Sequence, residues 1–411
     1  MKRQLLVLVI FSTVGLWSCV DQGERPAFVP SNGGPHLENR TEGPDPEDVG
    51  GTSTNGAQSK DLALAVEIRR FRGHTRAIYR AIFSHDGKTV LTSSADGSAR
   101  IWDAGTGKQI HKFERIDVTA LERVPVAMFS PDSKKVLTLN DDNTARLWDA
   151  VTGKELHRLV GHTGAIRSID LSSCGRYALT AGLDGTARTW SVQTGQELNR
   201  FEKPPIGPNE TAAFAPDGTQ VLTTGEVEVC LWDAAEGRVL HTLAKTSRPF
   251  SSDIGLAVLS PDGKLVLTTG LQPRLWDAAT GKVVSDFEKA SALHWQVVRS
   301  ANFSPDCTQL LTQDLHQAYL WDAATGMQLR KFESPSHSAV FSPDGKQILS
   351  ADSYQQALLW NASTGKLLRK FDGHSSDVPD RMGYFSAVFS PDGRQVLTGG
   401  TDRTAILWGH P

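Results

Sequence analysis

Three stretches of this 411-residue chain carry the same four side chains in the same order. They are His74, Thr92, Asp96 and Trp102; His162, Thr180, Asp184 and Trp190; and His374, Thr398, Asp402 and Trp408. In each, the Asp stands six residues before the Trp and the Thr four before the Asp. A hydroxyl, an imidazole and a carboxylate are the parts of a Ser-His-Asp-type triad, in which the imidazole takes the hydroxyl proton and the carboxylate orients the ring. Two features argue against nucleophilic chemistry. The Thr falls inside a β-prone run, and the set recurs three times where catalysis needs one centre. The chain offers no GxSxG, HExxH, P-loop or Rossmann glycine pattern in a strand-turn-helix context. Asp141-Asp142-Asn143 does not reach a calcium-loop pattern. No catalytic residue, metal or cofactor is expected.

The elements that carry these residues are visible in Tyr384 to Trp408, YFSAVFSPDGRQVLTGGTDRTAILW. A short apolar run, Phe385 to Phe389, is broken by Ser390-Pro391-Asp392-Gly393, in which Pro presets one turn position and Gly tolerates positive φ at another. A second run, Gln395 to Thr398, a polar turn and a third run, Thr404 to Trp408, complete an antiparallel meander. Such a meander cannot bury both faces alone. Eight copies end at Trp102, Trp148, Trp190, Trp232, Trp276, Trp321, Trp360 and Trp408, with gaps between 39 and 48 residues by subtraction. Each has the first turn upstream, and seven are followed by a turn such as Asp103-Ala104-Gly105-Thr106-Gly107-Lys108 and then a fourth strand, for example Lys366 to Phe371. A period near ~40–45 residues with Trp-Asp closing a strand is a blade signature.

Over residues 61–411 the chain resembles the WD40-repeat β-propellers. Gly73-His74, Gly161-His162 and Gly373-His374 carry the resemblance, with Trp-Asp at 102, 148, 232, 276 and 321, relaxed to Trp190-Ser191, Trp360-Asn361 and Trp408-Gly409. The fold class expected is all-β, an eight-bladed WD40-type β-propeller. Leu62 to Phe71 reads as a fourth strand without its first three, and the copy ending at Trp408 lacks a fourth strand. The N-terminal strand is therefore expected to complete the last blade and close the ring. The alternative is seven blades with the copy around Trp276 degenerate, because its preceding turn is short. The resemblance also implies that the three polar sets are structural networks: Asp accepts from His, His reaches the Thr hydroxyl, and that hydroxyl meets the indole N–H. Blade two keeps Thr138, Asp142 and Trp148 without the His. The blades ending at Trp232, Trp276, Trp321 and Trp360 lack most of the set and are expected to rest on apolar contacts.

WD40 propellers usually serve as interaction platforms, and the resemblance places partner contacts at the start of the first strand and just before the turn Asp. Those positions include Tyr79, Arg123, Asp141, Arg167, Leu183, Glu210, Asp253, Arg299, His337, Phe385 and Thr401. Trp295, the one body Trp outside the blade-ending series, lies in the extended connection Ala290 to Val298 and is added to the candidate partner-binding residues. Local packing of Trp295 is the competing reading. Arg100, Arg146, Arg188 and Arg274 each stand two before a Trp, where alternation puts them on its side of the strand. They are expected to lay their stems along apolar surface, the alternative being a shared anion site.

The first residues read as an address rather than as structure. Met1-Lys2-Arg3 is basic, and Leu5 to Trp17 is apolar but shorter than the ~20 residues of a membrane span. Leu16-Trp17-Ser18-Cys19 resembles the lipobox of bacterial lipoproteins, which implies lipidation of Cys19 after removal of residues 1–18. Val20 rather than Asp after that Cys favours the outer membrane of a Gram-negative bacterium; a secreted or periplasmic protein is the alternative. Residues 19–60 are dense in Gly, Pro, Ser, Asn, Asp and Glu and read as a disordered tether, on the order of 35 Å end to end as a Gly-rich coil.

The formal net charge of −3 and the lack of a Lys/Arg cluster with interleaved aromatics give no sign of nucleic-acid binding. Cys174, Cys230 and Cys307 have no CxxC spacing and read as free structural thiols. The expectation is a non-catalytic, monomeric, membrane-tethered scaffold binding a protein partner at the cell envelope. One alternative is an envelope-assembly factor resembling the barrel-assembly propeller lipoprotein. Another is an enzyme or small-ligand binder using the central channel.

Overall fold

The computed structural model describes residues 65–411 except 117–125, 203–208, 226, 247–253, 271–272, 288–297, 299, 315–316, 334–335, 353–355, 376–385 and 410–411. Its strands form eight four-stranded antiparallel sheets. Blade one shows the pattern: Ile78–Phe83 innermost, then Thr89–Ser94, Ser98–Asp103 and the outer strand Gln109–Glu114. Blades two to four have inner and outer strands Ala127–Phe129 and Glu155–Leu159, Ile166–Leu171 and Glu197–Phe201, and Asn209–Phe214 and Val239–Lys245. For blades five to seven these are Ile254–Leu259 and Val283–Asp286, Ser300–Phe303 and Gln328–Phe332, and Ser336–Phe341 and Leu367–Asp372.

The eighth sheet closes the ring. Ser386–Phe389, Gln395–Gly399 and Thr404–Gly409 come from the C-terminal end, and Val66–Arg72 pairs antiparallel with the last of them. Among the described residues the closing strand runs Val66–Arg72; residues 62–64 of the expected stretch lie outside the described residues. The seven-blade alternative falls, because the copy around Trp276 is a complete sheet. Its short turn shortens the third strand to Arg274–Asp277 without removing it.

Local chemistry sets the turns. In the first turn of blade one, the Ser84 hydroxyl donates to Asp86 Oδ1 (2.6 Å) and accepts the Thr89 N–H (3.0 Å). The Ser–Asp bond recurs at 2.6 Å in blades two, five, six, seven and eight, from Ser130, Ser260, Ser304, Ser342 and Ser390. In blade three Cys174 replaces the Asp and faces Ser172 Oγ at 3.4 Å. The fourth residue of this turn is left-handed, which suits Gly87 and Gly393 (φ 69° and 71°) and is imposed on Ser133 and Cys307 (φ 59° and 61°). In the turn after each Trp-Asp, the Asp side chain captures the backbone N–H three residues on, at 2.6 Å from Asp103 to Thr106.

Blades are joined by a repeated contact across each interface. The outer strand of one blade, or in blade five the residue just after it, aims an aromatic ring at the Trp of the next: Phe71 at Trp102, Phe113 at Trp148, Phe201 at Trp232, Phe287 at Trp321, Phe332 at Trp360 and Phe371 at Trp408. Centroids lie 5.0–6.3 Å apart, within the range for tilted and edge-to-face pairs. Leu159 and Leu243 stand at the two remaining interfaces, in the same apolar clusters as Trp190 and Trp276. A polar belt runs beside this one. His111, His157 and His241 donate from Nε2 to the backbone oxygens of Val151, Gln193 and Ala279 in the next blade (2.8, 2.9 and 3.1 Å), and Asn199 does the same to Ala234.

Every outer strand also carries a β-bulge opposite the Trp. The residues passed over are Ile68, Ile110, Leu156, Leu198, Leu240, Val284, Leu329 and Leu368. A bulge bends and twists a free edge, so eight open edges are made poor templates for pairing with another chain.

Phe71 is fully buried between the first and last blades. Phe71→Ala should cost about 3–5 kcal/mol, measured by urea unfolding. A cost below about 1 kcal/mol would show that the closing strand is held by backbone pairing alone.

Candidate functional site

The three polar sets are brought together side chain to side chain. His74 Nδ1 lies 2.9 Å from Asp96 Oδ2, His74 Nε2 lies 2.8 Å from Thr92 Oγ1, and Trp102 Nε1 donates to the same hydroxyl at 2.8 Å. The distances in blade three are 2.9, 2.8 and 2.9 Å, and in blade eight 2.8, 2.8 and 2.9 Å. An ionised carboxylate only accepts, so Nδ1 carries the imidazole proton, Nε2 accepts from the Thr O–H, and the Thr oxygen accepts from the indole. Each Asp also takes a backbone N–H from the loop entering its blade, Thr75, Thr163 or Ser375. One carboxylate therefore ties that loop to the turn between second and third strands.

Electrostatics follow from burial. Burial pushes the His74 and His162 pKa values below the ordinary one, although Asp96 and Asp184 pull the other way. Burial alone would raise Asp96, but hydrogen bonds from His74 and Ser98 hold it well below the usual carboxylate range. Asp184 and Asp402 are lowered likewise, against burial, by their His partners. The Thr92, Thr180 and Thr398 side chains are fully buried, so no substrate reaches the hydroxyl.

In blade two Asn140 takes the place of the missing His, accepting from the Thr138 hydroxyl at 2.8 Å while Trp148 donates to Thr138 at 2.9 Å. The expectation that the remaining blades rest on apolar contacts needs correction. Trp232, Trp276 and Trp321 donate to Thr223, Thr268 and Thr312, and Trp360 donates to Ser350, at 2.7–2.9 Å. A hydroxyl is enough to satisfy a buried indole N–H, whatever stands behind it.

The arginines two before the Trp are ion-paired rather than simply laid along the surface. Arg100, Arg146 and Arg188 reach Asp96, Asp142 and Asp184 at 3.7, 2.6 and 3.4 Å. Their other nitrogens reach Gln109, Glu155 and Glu197 on the outer strand. Arg274 pairs with Asp286 and lies over Trp276. A Cβ on Gly161 would stand 2.6 Å from Arg188 Nη1 and one on Gly373 2.7 Å from the Trp408 ring, which is why Gly precedes these His residues. Blade eight has Ile406 at the Arg position; Arg70 of the N-terminal strand reaches Asp402 (3.5 Å) and the Gly373 carbonyl (2.9 Å) instead.

The surface candidates share a structural cause. Tyr79, Arg167, Glu210 and His337 are the residues passed over where inner-strand pairing slips by one. This bulge sits beside the turn that carries the network Asp: Ala77 and Ala165 accept from the N–H groups of Ala95 and Leu183 (2.9 Å each). Tyr79 and Arg167 are half-buried, Leu183 is exposed, and exposed Asp141 pairs with Arg115 at 3.3 Å; Thr401 is buried. Arg123, Asp253, Trp295, Arg299 and Phe385 lie outside the described residues, as does Cys19. Cys174, Cys230 and Cys307 are free thiols. Among the described residues no group of three or more His, Cys, Asp or Glu is arranged to hold a metal ion.

The WD40 family described as WD domain, G-beta repeat, matches residues 65–103, 107–149, 153–191 and 365–409. The fold is an eight-bladed β-propeller of the WD40 type. The matched segments of the propeller are those that keep the Asp of the polar network. The eukaryotic translation initiation factor 3 subunit I of Danio rerio is 48% identical over 44 residues, which is 11% of this chain and 14% of that protein. The chain thus matches one repeat's length of that relative. The crystal structure of the computationally designed Ika8 protein superposes with a TM-score of 0.67 at 23% identity, covering 84% of this chain and 99% of the designed one. That likeness concerns the fold alone.

One half-buried carboxylate joins two blades of the propeller at the inner strands. Asp170 Oδ2 accepts the Phe214 N–H at 2.8 Å, next to Ser168, which accepts the Ala212 N–H at 2.9 Å. Burial raises the Asp170 pKa to about 6.

The network predicts a pH profile. His74 and His162 have lowered values in the fold, so the unfolded chain binds protons first as pH falls below ~6.5, and stability drops there. The lowered Asp96, Asp184 and Asp402 add a second loss below about 4. Asp170 acts with the opposite sign: its raised value makes the folded chain the better proton binder between about 4 and 6, so it gains stability as pH falls through that window. The difference in melting temperature between wild type and His74→Gln/His162→Gln, taken from about pH 7.5 to 5, cancels the Asp170 contribution and should narrow towards acid. A constant difference would mean that folding leaves both rings' proton affinity unchanged, and a difference that widens towards acid would mean that the fold favours the protonated rings.

Proposed function

We propose that this propeller is a non-catalytic platform that binds a protein partner on the face where the inner-strand bulges meet the Asp-bearing turns. The observation that carries the reading is the placement of Tyr79 and Arg167 by bulges on a rigid ring, beside turns locked by buried carboxylates. Rigid scaffolds that project aromatic and Arg side chains from their loop ends supply interface anchors with little ordering cost. Catalysis by the His–Thr–Asp sets is disfavoured because each hydroxyl is buried and each donor and acceptor is used.

The N-terminal sequence supports a second part of the reading. The basic start, the apolar stretch and the Leu16-Trp17-Ser18-Cys19 box fit export and lipidation at Cys19, with residues 19–60 as tether and 61–411 as the folded body. Durable anchoring follows when two or more acyl chains are attached, since a single chain binds only marginally. A Gram-negative outer membrane is the location that fits Val20.

In-cell crosslinking and pull-down of the full-length protein should capture one dominant envelope protein, lost in a Tyr79, Arg167 and Phe385 triple-alanine variant. Capture of nothing, with a small molecule or metal copurifying, would instead make the central channel the site. For the anchor, Cys19→Ser should move the protein from the membrane to the soluble fraction; unchanged membrane association would remove the lipidation assignment.

A further inference from the structure

The face proposed above is not uniform in charge around the ring. At the closing seam, the loop Gly73 to Ala77 runs between two turns, one from blade one and one from blade eight. Ser94 Oγ donates to the Arg76 carbonyl at 3.0 Å on one side, and the Ile78 N–H donates to the Gly400 carbonyl at 3.0 Å on the other. Three exposed arginines surround this loop: Arg72 at the end of the closing strand, Arg76 in the loop, and Arg403 in the turn of blade eight. Arg72 is paired in register with Thr404, the residue after Arg403.

Nearby acids are already committed. Asp96 is held by His74, Ser98 and Arg100, Asp402 by His374, Thr404 and Arg70, and Glu67 by Arg70. Among the described residues Arg72, Arg76 and Arg403 make no direct ion pair; Arg72 attracts Glu67 only at longer range, and Arg76 spends one Nη1 bond on the Ala95 carbonyl (3.4 Å). Exposed Arg115 in the neighbouring sector is answered by Asp141.

Arg403 is also conformationally costly. It holds φ 71° directly after the network Asp, where the counterpart turns place Gly97 (75°), Asn143 (60°) and Gly185 (78°). Gly takes this conformation freely, Asn tolerates it, and a long side chain does so only under strain. A guanidinium kept in a glycine position, with two more beside it and their acids already engaged, is a charge left for an outside partner.

We infer that the seam between blades eight and one binds an Asp- and Glu-rich segment of a protein partner through Arg72, Arg76 and Arg403, a role that rests on the platform reading. Guanidinium forks take carboxylates in bidentate pairs. Three cations on one strand end, one loop and one turn fit a short peptide segment. A nucleic-acid backbone asks for a longer basic track with stacking aromatics, and the chain carries a formal net charge of −3.

The test uses the full chain and a labelled Glu/Asp-rich peptide, with its Gln/Asn counterpart, single-stranded RNA and phosphatidylglycerol vesicles as comparators. Wild type should bind the acidic peptide in a salt-dependent way and the neutral peptide weakly. Arg72→Gln/Arg76→Gln/Arg403→Gly should weaken that binding on the order of tenfold. Its melting temperature should not fall, because Arg403→Gly relieves the left-handed turn. No binding by wild type, unchanged affinity in the variant, or equal or tighter binding of the neutral peptide, RNA or vesicles would overturn the inference. If the crosslinked partner is lost with the Tyr79, Arg167 and Phe385 variant but kept by the arginine variant, the platform stands and the seam site falls. If the acidic peptide binds while no partner is captured in cells, the platform fails and the seam site stands as an anion-binding site of its own.

Discussion

Each blade must satisfy its tryptophan twice, once by a hydroxyl from its own second strand and once by the outer strand of the blade before it. The first requirement is electrostatic: a buried indole N–H without an acceptor loses a hydrogen bond to water and gains nothing. The second is apolar, since a four-stranded sheet buries one face against each neighbour and the Trp face needs a ring or a Leu to close on. The hydroxyl is present in all eight blades, and a Phe or Leu occupies all eight interfaces. No blade can meet the second condition alone, which makes ring closure a condition of stability.

That dependence explains which variations are tolerated. The residue behind the hydroxyl changes freely: His in blades one, three and eight, Asn140 in blade two. The hydroxyl itself is Thr seven times and Ser once, at Ser350. Behind the hydroxyl, an imidazole nitrogen serves in three blades and an amide oxygen in blade two. In front of it only an oxygen of the right reach serves, because the Trp is fixed from its other side by the preceding blade. The polar sets that resemble a catalytic triad are thus the most elaborate versions of a support that other blades build more simply.

Much of this was legible in the residues. The Trp spacing, the Ser-Pro-Asp-Gly turns and the His–Thr–Asp offsets lie within single repeats, so local order reveals them. The eight blades and the strand that closes them follow from matching a missing fourth strand to a spare one. Other contacts were harder to read. Asn140 reaches its Thr from two residues further along the chain, whereas the imidazoles of the other networks come from the entry loop, 18 or 24 residues before theirs. A search at the spacing of the His therefore passes over it. The imidazoles of His111, His157 and His241 recur on the outer strands, yet their acceptors are backbone oxygens of the next blade, which no residue type marks. The bulges are equally silent, because a skipped pairing leaves no residue signature beyond an aliphatic side chain at one outer-strand position. Tyr79 and Arg167 were reached through the resemblance; the slip in pairing that projects them becomes visible only with the register.

The closing strand concentrates these demands in three consecutive residues. Arg70 supplies blade eight with the guanidinium that its own third strand lacks, reaching Asp402 across a sequence separation of 332 residues. Phe71 turns to the opposite side and meets Trp102, giving blade one the apolar contact that every other interface receives from a blade earlier in the chain. Arg72 ends the strand exposed beside the left-handed Arg403. Strand alternation forces the first two onto opposite faces, so the same backbone segment completes the polar network of the last blade and the apolar interface of the first. A seam made this way is as strong as any other interface only while both residues are in place. It is also the one position where a charge can be added to the ring's surface by the closing strand itself, without altering a repeat.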